Sequence, residues 1–307
     1  MDNQIKEKLG YHYTSIETLK SLLDGICDES IIFHASSVFY MNDPTEMKYG
    51  FNKMMDILPD IENELSVEED IYKLSKLWDK SPQYKYEQWN NIYLNRIETY
   101  FNHPFVISFS KCRDELPMWA MYGGKGNGIA LGFDIRLYLR ELQPEDDIIK
   151  YDLTHINSNQ QYAIDMEYGG IKPISFPYYM AKNKYSKYLK AVRVICDGEK
   201  IVMKQLYALH DIMVCSAPFV KHNAYSYERE SRLVSIDNNL HNIKFKTNAM
   251  GRIIPYREEN IPISALKEII IGPCCNSSHT KNCIELMLKQ KGIVDVEITE
   301  SKVPYKN

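Results

Sequence analysis

Strand-like segments recur along this chain at irregular intervals, and that irregularity limits the fold more than any other feature. "SIIFHAS" (Ser30–Ser36), "PFVISFS" (Pro104–Ser110), "GNGIALGFD" (Gly126–Asp134), "LKEIIIGPCC" (Leu266–Cys275) and "VDVEITES" (Val294–Ser301) read as strands. Regular βαβ alternation would place a helix of similar size between each pair. The helical stretches are instead very unequal. Ile16, Leu19, Leu22 and Leu23 sit at helical spacing behind Ser15, a capping residue. A charged helical pattern runs from about Glu46 to Phe101, and another from Tyr178 to Ser216. "SHTKNCIELMLKQKG" is a helix stopped by Gly292. The pattern predicts an α+β chain with mixed or antiparallel central sheets. It reads as a single domain over 1–307, with helical insertions at about 46–102 and 178–216.

Composition narrows the partners. With 37 Lys+Arg against 41 Asp+Glu there is no basic excess, so binding nucleic acid mainly through its phosphates is disfavoured. No apolar run approaches the length of a membrane span. The charged opening "MDNQIKEKLG" lacks the apolar core of a secretory signal. Seven scattered cysteines, an odd number, fit a reducing compartment, and the expectation is a cytoplasmic protein. The 23 tyrosines suit recognition of flat ligands, or reflect codon bias.

Four short segments carry polar side chains where a fold would otherwise place apolar ones. They are His12-Tyr13-Thr14; Asn42-Asp43-Pro44 with Glu46; Ser108-Phe109-Ser110 with Trp119 and Tyr122; and Glu228-Arg229-Glu230 with Arg232. Read as a strand from Tyr225 to Ile236, the last segment puts Ser226, Glu228, Glu230 and Arg232 on one side. Two carboxylates on one face repel unless a cation such as Arg232 lies beside them, and burial makes that pairing obligatory. The alternative is a solvated edge strand with a surface ion pair. Ser108 and Ser110 share one face, either for close packing or for hydroxyl contacts to a sugar or carboxamide. His12 alone reads as a structural histidine, and Trp119 and Tyr122 alone as ordinary core.

Two motifs are set aside. Cys275, His279 and Cys283 recur four apart, but a fourth ligand and the paired-cysteine spacing of zinc sites are missing. "YGGKGNG" (Tyr122–Gly128) resembles a phosphate-cradling loop, yet it leads into a strand where such loops open a helix. It reads as a flexible hairpin-like loop, with a lid as the other possibility.

"YHYTS", "FYMNDPTE", "ISFSKCRDELPMWAMYGGKGNGIALGFD", "YSYERESRL", "IIIGPCC" and "SKVPY" occur in the order found in a bacterial family catalogued as domain of unknown function 2971, which the chain resembles from about Leu9 to Tyr305. Tyr225 stands where that family often has Trp. More loosely, "HYT" before an amphipathic helix, a central "SFS" strand and a late glutamate strand resemble the three motif positions of ADP-ribosyltransferases, notably toxin-type enzymes that modify DNA. This second resemblance implies an ADP-ribosyltransferase-like fold with NAD as substrate. Glu230 would be the carboxylate beside the nicotinamide ribose, and Glu228 would orient the acceptor or take the place of Glu230. His12 would bond a ribose hydroxyl. Tyr13 and Tyr122 would stack on rings, and Ser108 or Ser110 would contact sugar or amide. Thr14, Trp119 and Arg232 complete the binding set.

The expectation is therefore an NAD-consuming transferase or glycohydrolase, as in bacterial toxins or phage defence. Its acceptor is open: protein, nucleic acid, small molecule or water. Two alternatives stand beside it. One is a non-catalytic module that binds a nucleotide or a protein. The other is a metal-dependent nuclease built from Asp43, Glu46, Glu228 and Glu230, whose carboxylates would converge on Mg²⁺.

Overall fold

The structure, a computed structural model, describes residues 9–41, 45–78, 103–134, 162–173, 175–192, 198–237, 240–247 and 251–305. Asn42, Asp43 and Pro44 lie outside them, as does much of the charged stretch before residue 103. The strands in chain order are β1 (Gly10–Thr14), β2 (Ser30–Ser37), β3 (His103–Ser110), β4 (Ile129–Phe133), β5 (Tyr162–Asp165), β6 (Glu167–Tyr168), β7 (Val220–Lys221), β8 (Glu230–Asp237), β9 (Lys244–Thr247), β10 (Ile253–Pro262), β11 (Leu266–Ile271) and β12 (Glu297–Glu300). The helices are α1 (Ile16–Asp24), α2 (Thr45–Glu64), α3 (Leu116–Met121), α4 (Phe176–Val192), α5 (Gly198–Ser216) and α6 (Ser277–Gln290). Ser15 caps α1 by accepting a bond from the Thr18 amide, and Leu19 and Leu23 are its buried face.

Ten strands form one sheet in the order β12-β11-β4-β1-β3-β2-β10-β9, with β8 on β3 and β5 on β8. All its pairings are antiparallel except β11 with β12. The α+β class with a mostly antiparallel sheet thus follows the sequence pattern. β10 was not legible as a strand: Arg257, Glu258 and Glu259 interrupt it with charge, yet Arg257 and Glu259 are buried.

Strand β3 is where this sheet divides. β8 pairs with it from Ser110↔Glu230 to His103↔Asp237 and fills one edge. The other edge is shared. Tyr11 of β1 meets Ser110, whereas Ser36 and Ser37 of β2 meet Val106 and Phe105. β1 and β2 therefore diverge from one strand as the arms of a fork. In the gap, His12 Nδ1 lies 3.1 Å from the Ser108 carbonyl oxygen. A carbonyl only accepts, so Nδ1 carries the proton and the ring supplies a bond that a neighbouring strand would otherwise make.

Each face of the sheet is covered. Directly opposed antiparallel residues share a face, so Phe105, Ile107 and Phe109 point with Leu233 toward α1 and α6, alongside Phe33, Leu131 and Ile284. Val106 and Val234 point the other way, toward α2, α4 and α5. Tyr11, Tyr13, Met118 and Trp119 form a smaller apolar cluster. By register, Tyr11 shares its face with Ser110 and Glu230. Ser108, Ser110, Glu230 and Arg232 therefore occupy the face of Val106 and Val234, which also carries this smaller cluster.

Candidate functional site

Five buried charged side chains meet on this face. Arg232 and Glu230 alternate along β8, and both point toward α2. Glu46 enters from the first turn of α2, and Lys221 from β7, which lies parallel to β6. Close approach makes this possible. A Cβ on Gly50 would lie 2.3 Å from the Ala217 carbonyl oxygen, so only glycine lets α2 pack this tightly on the 217–219 turn.

The contacts are short. Arg232 Nη2 lies 2.6 Å from Glu46 Oε1, and Arg232 Nε donates to Glu230 Oε1 at 2.8 Å. Lys221 Nζ donates to Glu228 Oε2 at 2.6 Å and to Glu230 Oε2 at 2.9 Å, with Glu46 Oε2 at 3.6 Å. Tyr122 donates its hydroxyl to Glu228 Oε1 at 2.6 Å. The Glu230 amide donates to the Tyr168 hydroxyl at 2.8 Å. Three carboxylates against two cations leave the cluster with a formal charge of −1.

These surroundings fix protonation states. Burial raises the Glu230 carboxyl, but Arg232, Lys221 and a bond from Ser108 outweigh it and hold the group down to about 2. Burial opposes charge on Lys221, yet Glu230 and Glu46 push its value up on balance. Both therefore remain charged at neutral pH. Burial, and then the bond to Glu228, raise the Tyr122 hydroxyl, so it stays a donor. Burial lowers His12, its largest influence, and the imidazole is neutral.

A cavity of about 180 Å³ opens over the cluster, lined among others by Tyr11, Ser108, Ser110, Tyr122, Glu228 and Glu230. His12 and Tyr13 line it too. Seven of the catalytic and binding candidates named in the sequence, together with Glu46, thus border one cavity, but they do so differently. The His12 ring lies edge-on to Phe33 and Phe109 in the fork, on the far side of the sheet from Glu230. Tyr13 packs edge-on against Trp119 and donates to the Cys112 carbonyl at 2.9 Å. Ser110 donates to the Glu228 carbonyl and accepts from the Cys112 amide. Thr14, Trp119 and Arg232 are not among the lining residues. Trp119 is fully buried and donates Nε1–H to Asp114 at 2.7 Å. Arg232 acts on the site through Glu230 and Glu46.

Two local readings need correction. Asn223–Glu228 is a 3-10 turn, not the start of a strand, and Arg229 is left-handed at φ 40, ψ 51. The strand begins at Glu230, so Glu228 reaches the cluster from the turn, drawn in by Lys221, and not by strand alternation with Glu230. The "YGGKGNG" loop is likewise not a free hairpin loop. The Gly272 and Cys274 amides bond the carbonyls of Gly128 and Gly126, fixing the loop to the turn after β11.

Lys221 went unremarked in the sequence, and Tyr225 was noted only as standing where the resembled family often has Trp. A lone lysine following the apolar Phe219-Val220 and seven residues before Glu228 was the available signal. Glu46 had been noticed only as a candidate metal ligand. Its carboxylate and those of Glu228 and Glu230 are engaged by Lys221 and Arg232, whose ammonium and guanidinium groups occupy the oxygens a metal ion would take. Among the described residues no group of three His, Cys, Asp or Glu is placed to hold a metal ion. His279 and Cys283 lie 3.7 Å apart on α6, while Cys275 Sγ faces the Gly128 carbonyl.

A larger open cleft of about 1060 Å³ runs past Arg113, Asp114, Arg229 and Lys302. Its charges serve the fold: Arg113 pairs with Glu268, and Asp114 accepts from Trp119 and Ser301.

Among the described residues, no helix is long and apolar enough to cross a membrane. Residues 118–233 match the family described as "Protein of unknown function (DUF2971)". That span contains most of the glycine-led block and the glutamate strand, and supports the resemblance over this part of the chain. No curated protein and no solved structure matches.

Proposed function

We propose that the chain is an NAD-consuming glycosyl-transfer enzyme, a transferase or glycohydrolase, with Glu230 as the carboxylate beside the reacting sugar and Glu228 beside it. The observation that carries this reading is an ionised, buried glutamate at the wall of a small cavity whose charge cluster keeps one net negative charge. Breaking the bond between nicotinamide and ribose places positive charge on the sugar ring. Preoriented negative charge in a water-poor site stabilises that charge without reorganising at the moment of reaction. Tyr122 and Lys221 hold Glu228 and Glu230 in place, so the site is already set.

Size limits what enters. Ligand pockets for drug-sized molecules run from roughly 300 to 1000 Å³, and this cavity is about 180 Å³. The nicotinamide and its ribose would occupy it, with the remainder of the dinucleotide outside. Tyr122 and Tyr11 supply ring surface and Ser108 a hydroxyl. An enzyme of this type with water as acceptor would deplete NAD, which fits a role as a toxin or defence effector.

Incubation of the full chain with NAD should release nicotinamide, and Glu230→Gln should reduce the rate by at least a hundredfold, the scale of losing one preoriented electrostatic group. Release unchanged in that variant, or no release with water or any acceptor tried, would sink the proposal. The pairing of every carboxylate in the cluster favours a second reading, a non-catalytic nucleotide-binding module. NAD binding by calorimetry without nicotinamide release would select it.

A further inference from the structure

Strand β12 ends the large sheet and lies on the floor of the open cleft of about 1060 Å³. Every residue from Glu297 to Lys302 lines that cleft. Successive side chains of a strand point to opposite faces, so an unbroken run places the backbone edge in the cleft and not one face alone. β12 pairs with β11 in parallel, from Glu268↔Glu297 to Ile271↔Glu300. Just beyond, the Ser301 amide donates to the Ile271 carbonyl at 2.8 Å. Bonds to one neighbour fall on alternate residues, so Glu297, Thr299 and Ser301 turn their N–H and C=O groups to β11. Ile298 and Glu300 turn theirs outward. Among the described residues no strand pairs with that outer edge.

Two walls flank the edge. One is the 111–115 segment. It is tied to β12 where Arg113 Nη2 donates to Thr299 Oγ1 at 3.3 Å and where Asp114 accepts from the Ser301 hydroxyl and the Lys302 amide. The other is α6, which contributes Lys281, with Ile298 packed against the apolar cluster beneath that helix. Arg113 and Asp114 are spent on the fold. Lys111 and Arg229 are about half exposed, held by surface ion pairs to Asp165 and Glu115 that a docked carboxylate replaces at little cost. Among the described residues Lys281 and Lys302 have no ion-pair partner. Five cations against four carboxylates make the cleft formally +1, on a chain whose total is −4.

We propose that this cleft docks one extended segment of another protein, which adds to the outer edge of β12 and carries acidic side chains at alternate positions. Main-chain bonds to Ile298 and Glu300 supply the attachment. The side chains of an added strand alternate between the walls. Every second one faces Lys111 and Arg229, where an acid meets a base, and the others lie over Ile298 and take an apolar group. A second copy of this chain is a poorer occupant. Its own β12 lies on a cleft floor, and two concave surfaces do not meet edge to edge. A short edge bearing Glu297 and Glu300 also discourages flat pairing with another sheet. The cleft shares no lining residue with the cavity at Glu230, so the proposal stands apart from the transferase reading.

A peptide, fluorescein-Glu-Val-Glu-Val-Glu-Val-amide, is titrated with the full chain and followed by anisotropy. It should bind, and its counterpart with lysine in place of glutamate should bind at least tenfold more weakly. Methylating the backbone nitrogens of the valines, or those of the glutamates, should have sharply unequal effects, because only one set can face β12. Glu300→Pro should weaken binding roughly tenfold, the scale of one main-chain bond left unmade. Its midpoint in denaturant should stay near native, because the lost N–H points away from β11. Arg229→Gln should weaken binding up to about fivefold, the scale of an exposed ion pair. No binding up to about 1 mM overturns the proposal. So does equal binding of the lysine peptide, or indifference to both methylated sets, a test that holds even where Glu300→Pro fails to fold. Sedimentation showing a dimer that Glu300→Pro dissolves would assign the edge to a second copy and overturn it as well.

Discussion

Replacing Lys221 by methionine tests whether charge balance holds the centre of the site together. The side chain is nearly isosteric, but three carboxylates would then face Arg232 alone, and the formal charge would go from −1 to −2. Removing one partner of a buried ion pair costs about 3–5 kcal/mol, because a charge is left uncompensated. At about 1.4 kcal/mol per pKa unit, the lower end of that loss corresponds to roughly two units, enough to return the Glu230 carboxyl from about 2 toward its ordinary 4.5. In the native chain Glu230 is held to about 2, so its contribution is complete above pH 4.5 and is lost as pH falls toward 2. In Lys221→Met the folded and unfolded chains would bind that proton almost equally. The native chain then loses stability as pH falls through the window from about 4.5 to 2, at up to about 1.4 kcal/mol per unit, and the variant does not. Denaturant unfolding of both proteins from pH 2.5 to pH 7 measures this directly. The deficit of the variant should be largest above pH 4.5 and should shrink toward pH 2.5. A deficit constant with pH would refute the reasoning and assign the loss to packing.

Two further perturbations test the scaffold. Gly50→Ala should destabilise by about 1–3 kcal/mol, the usual cost of overpacking, because its Cβ meets the Ala217 carbonyl at 2.3 Å; it should also cut NAD turnover by loosening Glu46, whereas an unchanged midpoint in denaturant would mean that α2 packs less tightly than described. His12→Gln should weaken the fall in stability below about pH 6.5, since burial lowers the native imidazole and its contribution fades as pH drops through the folded value; His34, also lowered by burial, gives a residual slope of the same sign, and identical pH profiles for variant and native chain would count against the buried neutral ring.

Much of this arrangement was legible in the residues, for physical reasons that can be named. β3 and β4 stood out because strands covered on both faces are almost wholly apolar. The polar exceptions, Ser108, Ser110 and Glu230, marked a place where the sheet face turns from core to cavity. What escaped was what depends on distant partners. Lys221 reads as an ordinary surface lysine until α2 and β8 close over it. The left-handed Arg229 gave no sign in sequence, since glycine or asparagine usually occupies that conformation, and it moved Glu228 off the strand. His12 was read as a ligand contact, and it does border the cavity. Its place in the fork depends on two strands separating, which no local pattern records.

The neighbours of β4 bear on how the chain is made. One edge of that strand is taken by β1 and the other by β11, more than 130 residues further on. During synthesis the Ile129–Phe133 segment, buried throughout in the finished protein, would wait with one side unsatisfied while the long middle of the chain emerges. Unpaired apolar edges recruit other chains. Newly made copies are therefore prone to stick to one another before Leu266–Ile271 leaves the ribosome, and a chaperone that shields strands at that stage should raise the yield of folded protein.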